Sequence, residues 1–362
     1  MEGILEGLYS LPLLGLVFQL LAYLIEVVPE LSPIMLGLAT PIALGALCGV
    51  LNERSGVVNI GIEGTMLTGA FVGFLTGAWA AGSVQQDPSA IFGTTPALLL
   101  GVLAAVVAGM LVSVLHAWLV LTIRVDHIIS GVIINVAAIG LTGYLNGLVI
   151  STMPRAGAGT FSSFHPPSAL TDIPLVGWVL NMFLAQGPIG MSVIVFVVGL
   201  QILLFRSRWG LRTRATGEHP HAVETVGVDV IRLRYRNVII GGLFAGLAGA
   251  YLTLEATSSF QNEMTSGRGF IALAAVIFGR WTPVGAFGAA MLFTASDALG
   301  VAIRLRPPDG QLAELGTIMT AIPPQIFSAL PYIVTIVVLA GVVGRSIPPA
   351  AVGQHYEKEA TT

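Results

Sequence analysis

Charge is what this chain most lacks. Only 10% of its 362 residues are charged, where soluble domains average about 25%, and mean hydropathy is +0.87. An ordinary soluble domain is excluded, and a chain embedded in a membrane is implied. Lysine is nearly absent: Lys358 stands alone beside fifteen arginines. A phosphate loop of the G-x-x-x-x-G-K-[ST] kind needs a lysine on the phosphates, so the chain cannot hold ATP in that way. The single cysteine, Cys48, excludes an intrachain disulfide. The six histidines show no ligand spacing such as H-E-x-x-H, so no metal and no cofactor is expected. No catalytic dyad stands out, and an enzyme is unsupported. A net charge of −3 gives no reason to expect nucleic acid. The start, MEGILEGLYS, has no basic residue, so a cleaved signal is not expected and the first apolar run reads as retained.

What is abundant is apolar sequence, at 55%, and glycine, at 44 residues. Apolar runs fall at 11–28, 32–51, 60–80, 97–123, 127–150, 188–205, 237–256 and 325–344. Each approaches or exceeds the ~20 residues that cross a bilayer as a helix. None alternates in character as a barrel strand would. Between 268 and 300 a short apolar piece, a GRWTP break and a second piece imply two short spans or one broken, re-entrant element. The expected fold is all-α: a polytopic transmembrane bundle of about nine or ten membrane segments. Gly69, Gly73 and Gly77 share one helix face, and Gly45/Gly49 and Gly242/Gly246 repeat the spacing. Close helix packing is the favoured reading, a dimer face the sharper one. Residues 36–77 and 238–290 echo each other loosely, as inverted repeats do.

Arginine placement orients the chain. Residues 206–236 hold seven of the fifteen arginines and three acids, whereas 81–96 and 151–187 hold only Arg155. The positive-inside rule puts 206–236 in the cytoplasm. Counting back puts 52–59, 124–126 and the N-terminus on that side too, and 81–96 and 151–187 outside. The 206–236 loop is long for a helix connection and carries its own helix signals, with Pro220 fit for a first turn and Gly227 for a stop. It reads as a short surface helix that docks a partner, or as a basic loop that only fixes topology. No other domain boundary is visible, and 351–362 reads as a flexible tail.

One stretch breaks the apolar monotony. LNERSGVVNIGIEG, residues 51–64, packs Asn52, Glu53, Arg54, Asn59 and Glu63 between uncharged flanks. Asn135, Asn146, Glu255 and Asp297 also lie in or beside apolar runs. Such groups are costly in lipid and usually face a bundle interior or a wet cavity. Asn59, Glu63 and Asn135 are the candidate pathway residues, with structural hydrogen bonding or a hinge as the alternative. Arg268 and Arg280 flank the 269–279 piece and could anchor its ends.

Three stretches resemble the membrane permeases of bacterial ABC importers in the branched-chain amino acid/ribose-type superfamily, closest to those for nucleosides and simple sugars. ERSGVVNIGIEGTMLTGAF (53–71) is similar to that group's E-R-x-G-V-x-N-[IL]-G-x-E-G-x-M signature. GLRTRATGEHPHAVETVGVDVIRLRYRNVIIGGLFAGLAGAYLTL (210–254) resembles the coupling loop and the helix after it, with His219 where the family commonly has Asn and Val223 where it often has Ala. GRGFIALAAVIFGRWTPVGAFGAAMLF (267–293) is similar to the family's G-x-G-[FW]-x-x-[IL]-A-x-[AV]-x-x-G-x-[WR]-x-P.

The resemblance implies a single permease domain over 1–350 in the cytoplasmic membrane of a bacterium, with 206–236 as its coupling loop. It implies alternating-access import of a nucleoside or simple sugar. It also implies partners: a second permease subunit, a cytoplasmic ABC ATPase, a substrate-binding lipoprotein outside, and membrane lipid around the bundle. Gly217, Glu218, Pro220, Ala222 and Gly227 would then form the docking element, with a mechanical role. The alternatives are an ion-coupled secondary transporter, a branched-chain amino acid permease, and a membrane scaffold or sensor.

Overall fold

The computed structural model describes residues 14–81, 91–150, 159–171, 173, 176–305, 307–308, 313–323, 326, 329 and 346–357. All regular secondary structure among them is helical. That follows from lipid, where a helix satisfies its own backbone and an open strand cannot.

The elements are α1 (Leu14–Arg54), α2 (Ile62–Ala81), α3 (Pro96–Ala117), α4 (His127–Ile150), α5 (Ser168–Thr171), α6 (Gly177–Leu184), α7 (Pro188–Arg206), α8 (Arg208–Glu218), α9 (Pro220–Thr225), α10 (Val230–Ala250), α11 (Arg268–Phe278), α12 (Pro283–Leu305) and α13 (Ala313–Ala321). Wider π-type turns extend α3 through Trp118–Thr122 and α10 through Tyr251–Thr257. Seven helices among the described residues are long and apolar enough to cross a bilayer, fewer than the nine or ten segments expected.

The difference has three sources. The runs at 11–28 and 32–51 are one helix of 41 residues, about 60 Å long at 1.5 Å per residue. Pro33 removes the N–H that would reach the Pro29 carbonyl, and the Ser32 hydroxyl donates to that carbonyl instead, at 2.8 Å. A side chain thus mends the break that sequence alone suggests. Second, the 269–279 piece is an 11-residue helix, too short to cross. Third, the run at 325–344 lies outside the described residues except for 326 and 329.

The chain divides into two compact units. The first comprises 1–38, 165–185 and 291–344. Its core joins Tyr23, Val27 and Leu31 of α1 to Ala302 and Ile303 of α12 and Met319 of α13. The second comprises 39–164, 186–290 and 345–362 and holds every candidate site residue.

Inside the second unit α2, α3 and α10 meet backbone to backbone. A Cβ on Gly109 would lie 2.4 Å from the Gly242 carbonyl oxygen and 2.7 Å from the Gly246 Cα. One on Gly69 would lie 2.9 Å from the Gly246 Cα. Gly45 and Gly49 face Ala272 and Val276 of α11. The glycine spacing therefore serves internal packing, and no dimer face is needed to explain it.

The second unit has two poles. At one, Val58 N–H donates to His127 Nδ1, Arg54 Nε to the Trp281 carbonyl, and Ala351 N–H to the Gly217 carbonyl. This groups 52–58, 124–127, the arginine-rich loop and the 279–282 turn. At the other pole, Phe161 N–H donates to the Leu254 carbonyl, Ser162 N–H to Phe92 and Phe164 N–H to Gln186. The grouping agrees with the alternation of sides expected from the sequence.

Candidate functional site

The polar stretch 51–64 holds the short helix α11 at both ends. Glu63 accepts the N–H of Gly267 through Oε1, at 2.7 Å, and that of Gly269 through Oε2, at 2.6 Å. These are amides at the start of α11, which have no partner within a helix. A carboxylate there also meets the positive end of the helix dipole. Beyond the other end, Arg54 Nε donates to the Trp281 carbonyl at 2.7 Å and Arg54 Nη2 to the Arg280 carbonyl at 3.2 Å. Glu53 Oε2 accepts the Trp281 indole N–H. The turn they grip needs gripping, because Arg280 and Trp281 both have positive φ, at 52° and 53°, a conformation that strains residues with a side chain.

The stretch is itself held open. After α1 ends at Arg54 the chain runs irregularly to Ile62, through Gly56 at φ +90°, where a residue with a Cβ would be strained. Asn135 of α4 bridges the break: its Nδ2 donates to the Ile60 carbonyl at 3.0 Å, and its Oδ1 accepts the Gly64 N–H at 2.8 Å. His116 Nε2 lies 3.0 Å from the Val58 carbonyl oxygen, and its Nδ1 lies 3.0 Å from Ser130 Oγ. Asp126 Oδ1 accepts the N–H groups of Ile128 and Ile129, which holds its carboxyl below the usual range and caps α4. Neither polar atom of Asn59 has a hydrogen-bond partner among the described residues, although the residue is 1% exposed.

The three pathway candidates therefore separate. Both carboxylate oxygens of Glu63 and both polar atoms of Asn135 are bonded to protein backbone, whereas neither polar atom of Asn59 has a partner among the described residues. Glu255 repeats the Glu63 arrangement at the other pole, where it accepts the N–H of Ile189 at 2.8 Å and of Gly190 at 3.0 Å at the start of α7. Asn146 pairs with Asn262 at 2.9 Å, and Asp297 falls in the first unit. The Arg268 guanidinium returns to the carbonyls of Met264 and Thr265 just before α11, so it does anchor that end. Among the described residues no three His, Cys, Asp or Glu gather as a metal site.

The arginine-rich loop is two helices rather than one. α9 begins at Pro220, and Gly227 follows its end at φ +80°, as the sequence signals imply. α8 before it was not anticipated, and its signal was Ser207, whose hydroxyl accepts the Gly210 N–H as an N-cap. Gly217 is buried where a Cβ would sit 2.4 Å from the Arg54 carbonyl oxygen, so the loop packs on the end of α1. Ala222 and Glu218 are exposed, and Val223 turns inward against Val230 and Tyr356.

Residues 351–357, part of the tail expected to be flexible, are hydrogen-bonded to the rest of the second unit. Ala351 N–H donates to the Gly217 carbonyl at 2.8 Å, Ala350 N–H to Glu218 Oε2 at 3.1 Å, and Gly353 N–H to the Gly56 carbonyl at 3.1 Å. The Tyr356 hydroxyl pairs with Glu224, and Arg234, 1% exposed, donates to the Gln354 carbonyl. This clasp ties α8 and α9 to the 55–58 break, and its backbone bonds leave no pattern in the sequence. Tyr356→Ala is expected to cost about 3 kcal/mol locally. The clasp should then become protease-sensitive while the bundle melts as before, as limited proteolysis with peptide mapping would read. An uncut clasp would show that Tyr356 does not hold it.

The family described as branched-chain amino acid transport system / permease component matches residues 33–339. The chain belongs to this family. The chain is 36% identical over 348 residues to the guanosine ABC transporter permease protein NupQ of Bacillus subtilis, covering 92% of this chain and 98% of that protein. It is 33% identical over 328 residues to the nucleoside ABC transporter permease protein NupC of Lactococcus lactis, covering 90% and 95%. A second Bacillus subtilis guanosine permease, NupP, is 27% identical over 70% of this chain and 68% of its own length. No solved structure matches the chain. The seven apolar helices and the family together make it a multi-pass protein of the cytoplasmic membrane.

Proposed function

We propose that the chain is the permease subunit of an ABC importer that carries a nucleoside, with a simple sugar as second choice. The observation that carries the reading is near-full-length similarity to two nucleoside ABC permeases. The sugar reading draws on a Haloferax volcanii relative named as a putative glucose permease, 34% identical over 89% of this chain. The family match spans residues of both compact units, which supports one permease domain over 1–350. Similarity to both Bacillus subtilis guanosine permeases supports a paralogous chain as second permease subunit.

ATP chemistry belongs to a partner ATPase, since the chain lacks a phosphate-loop lysine. That partner docks on 217–227 from the cytoplasm: Pro220 starts α9, Gly227 stops it, Glu218 and Gly217 fasten it to the clasp, and Ala222 faces outward. Movement of α9 passes through Gly217 to the end of α1 and the clasp, and so to the break at 55–61. α2 and α11 meet at that break, and Asn59 offers its free amide to the substrate path. A binding lipoprotein delivers substrate at the other pole.

Ala222→Asp places a charge on the exposed face of α9 without touching the core. The expected result is loss of ATPase co-purification, by tenfold or more, with unchanged melting of the permease. Wild-type recovery of the ATPase would remove α9 as the docking element. The reading as a whole is tested by nucleoside uptake into proteoliposomes, with this chain alone or with its second permease, ATPase and binding protein plus ATP. Uptake confined to the complete set is expected. Uptake by the chain alone under an ion gradient would make it a secondary transporter.

A further inference from the structure

An apolar groove runs along the second unit between α7 and α10, ending at α8. It encloses about 450 Å³. Val195, Phe196 and Leu203 of α7 line one wall, and Ile240 and Phe244 of α10 the other. Phe196 and Phe244 meet edge to face, with ring centroids 5.5 Å apart. Gly199 opens the wall between them, since a Cβ there would find no atom within 4 Å. Val195 is 67% exposed. All of this lies within spans apolar enough for lipid.

The mouth of the groove has a different chemistry. Trp209 sits there, its indole N–H donating to Asn237 Oδ1 at 3.2 Å, and Arg236 lies over its ring, 6.0 Å from the centroid. Asn237 is fixed in turn by Thr213. Arg206 and Arg208 precede Trp209 in sequence, and Arg212 follows one turn on. These four arginines are exposed and have no acidic partner among the described residues. An apolar slot opening on an interfacial tryptophan and unpaired cations matches an amphiphile with an anionic head. A protein helix would fill the slot and leave those cations unanswered.

We propose that this groove binds an anionic phospholipid of the leaflet at the arginine-rich pole. One acyl chain lies along Gly199, and the headgroup phosphate meets Arg236 beside Trp209. The site requires only that the chain is embedded in a membrane, and it stands whatever the cargo.

Native mass spectrometry of the purified chain, titrated with phosphatidylglycerol, phosphatidylcholine or inorganic phosphate, tests it. A phosphatidylglycerol adduct should survive delipidation that strips phosphatidylcholine. Arg236→Ala should weaken it about fivefold, the worth of one arginine near a membrane surface, and Arg236→Lys should largely restore it. Gly199→Leu should fill the slot and reduce both lipids, with unchanged melting and gel-filtration profile because a Cβ at 199 meets no atom within 4 Å and the side chain enters the groove. Equal retention of the two lipids would overturn the proposal, as would wild-type retention in both Arg236→Ala and Gly199→Leu. Displacement of the adduct by inorganic phosphate would reduce the site to an anion patch. Loss of the adduct on addition of the second permease would make the groove a subunit interface instead.

Discussion

Glu63→Ala is expected to abolish ATP-driven uptake and to lower the melting temperature of the permease sharply. The substitution leaves the N–H groups of Gly267 and Gly269 without their acceptor at the start of α11. Each buried donor so orphaned costs about 1–3 kcal/mol, so the pair costs roughly 2–6 kcal/mol. The helices cannot close over the vacated site to relieve this, because a Cβ on Gly269 would already lie 2.6 Å from the Glu63 backbone. Glu63→Gln keeps one acceptor and turns an amide N–H₂ toward a donor, so it should fall between wild type and alanine. Thermal unfolding in detergent, run beside uptake in proteoliposomes, measures both. Lost uptake with unchanged melting in both variants would instead make Glu63 a substrate contact and defeat its role as a clamp.

The second large effect is expected at Gly246. A Cβ there would sit 2.4 Å from the Ala105 carbonyl oxygen and 3.0 Å from the Val106 Cα. Both neighbours are backbone, so no side-chain terminus can swing aside, and overpacking of this kind costs about 1–3 kcal/mol or more. Gly246→Val should force α3 and α10 apart and give little monodisperse protein on gel filtration. Gly147→Ala is the control, since a Cβ on Gly147 meets nothing within 4 Å, and it should purify as wild type. A Gly246→Val chain with wild-type yield and melting would show that the three-helix contact is not what assembles the unit.

The sequence makes the helices legible because lipid leaves the backbone few choices. Apolar runs at 60–80, 97–123, 127–150 and 188–205 became α2, α3, α4 and α7 with small shifts at their ends. The broken element near 268–300 was legible too, from GRWTP. What escaped was set by contacts distant in sequence. Nothing near Pro33 says that Ser32 will mend the helix through it. Nothing near Glu63 says that its partners lie some two hundred residues away. The stretch 51–64 was correctly marked as unusual, but its acids and arginine hold α11 in place, and among the three pathway candidates it is Asn59 whose polar atoms have no partner among the described residues. The 346–357 clasp was missed because backbone-to-backbone bonds ask little of side chains beyond Tyr356.

That clasp has a consequence for the order in which the protein is made. Residues 346–357 leave the ribosome after every helix they fasten, from the break at Gly56 to Arg234 of α10. A nascent chain that has reached α12 already owns α8 and α9, yet nothing secures Gly217 and Glu218 from beyond. The arginine-rich face is therefore finished late, well after its own residues are synthesised, and a chain stalled before 346 would show a partner an unfastened surface.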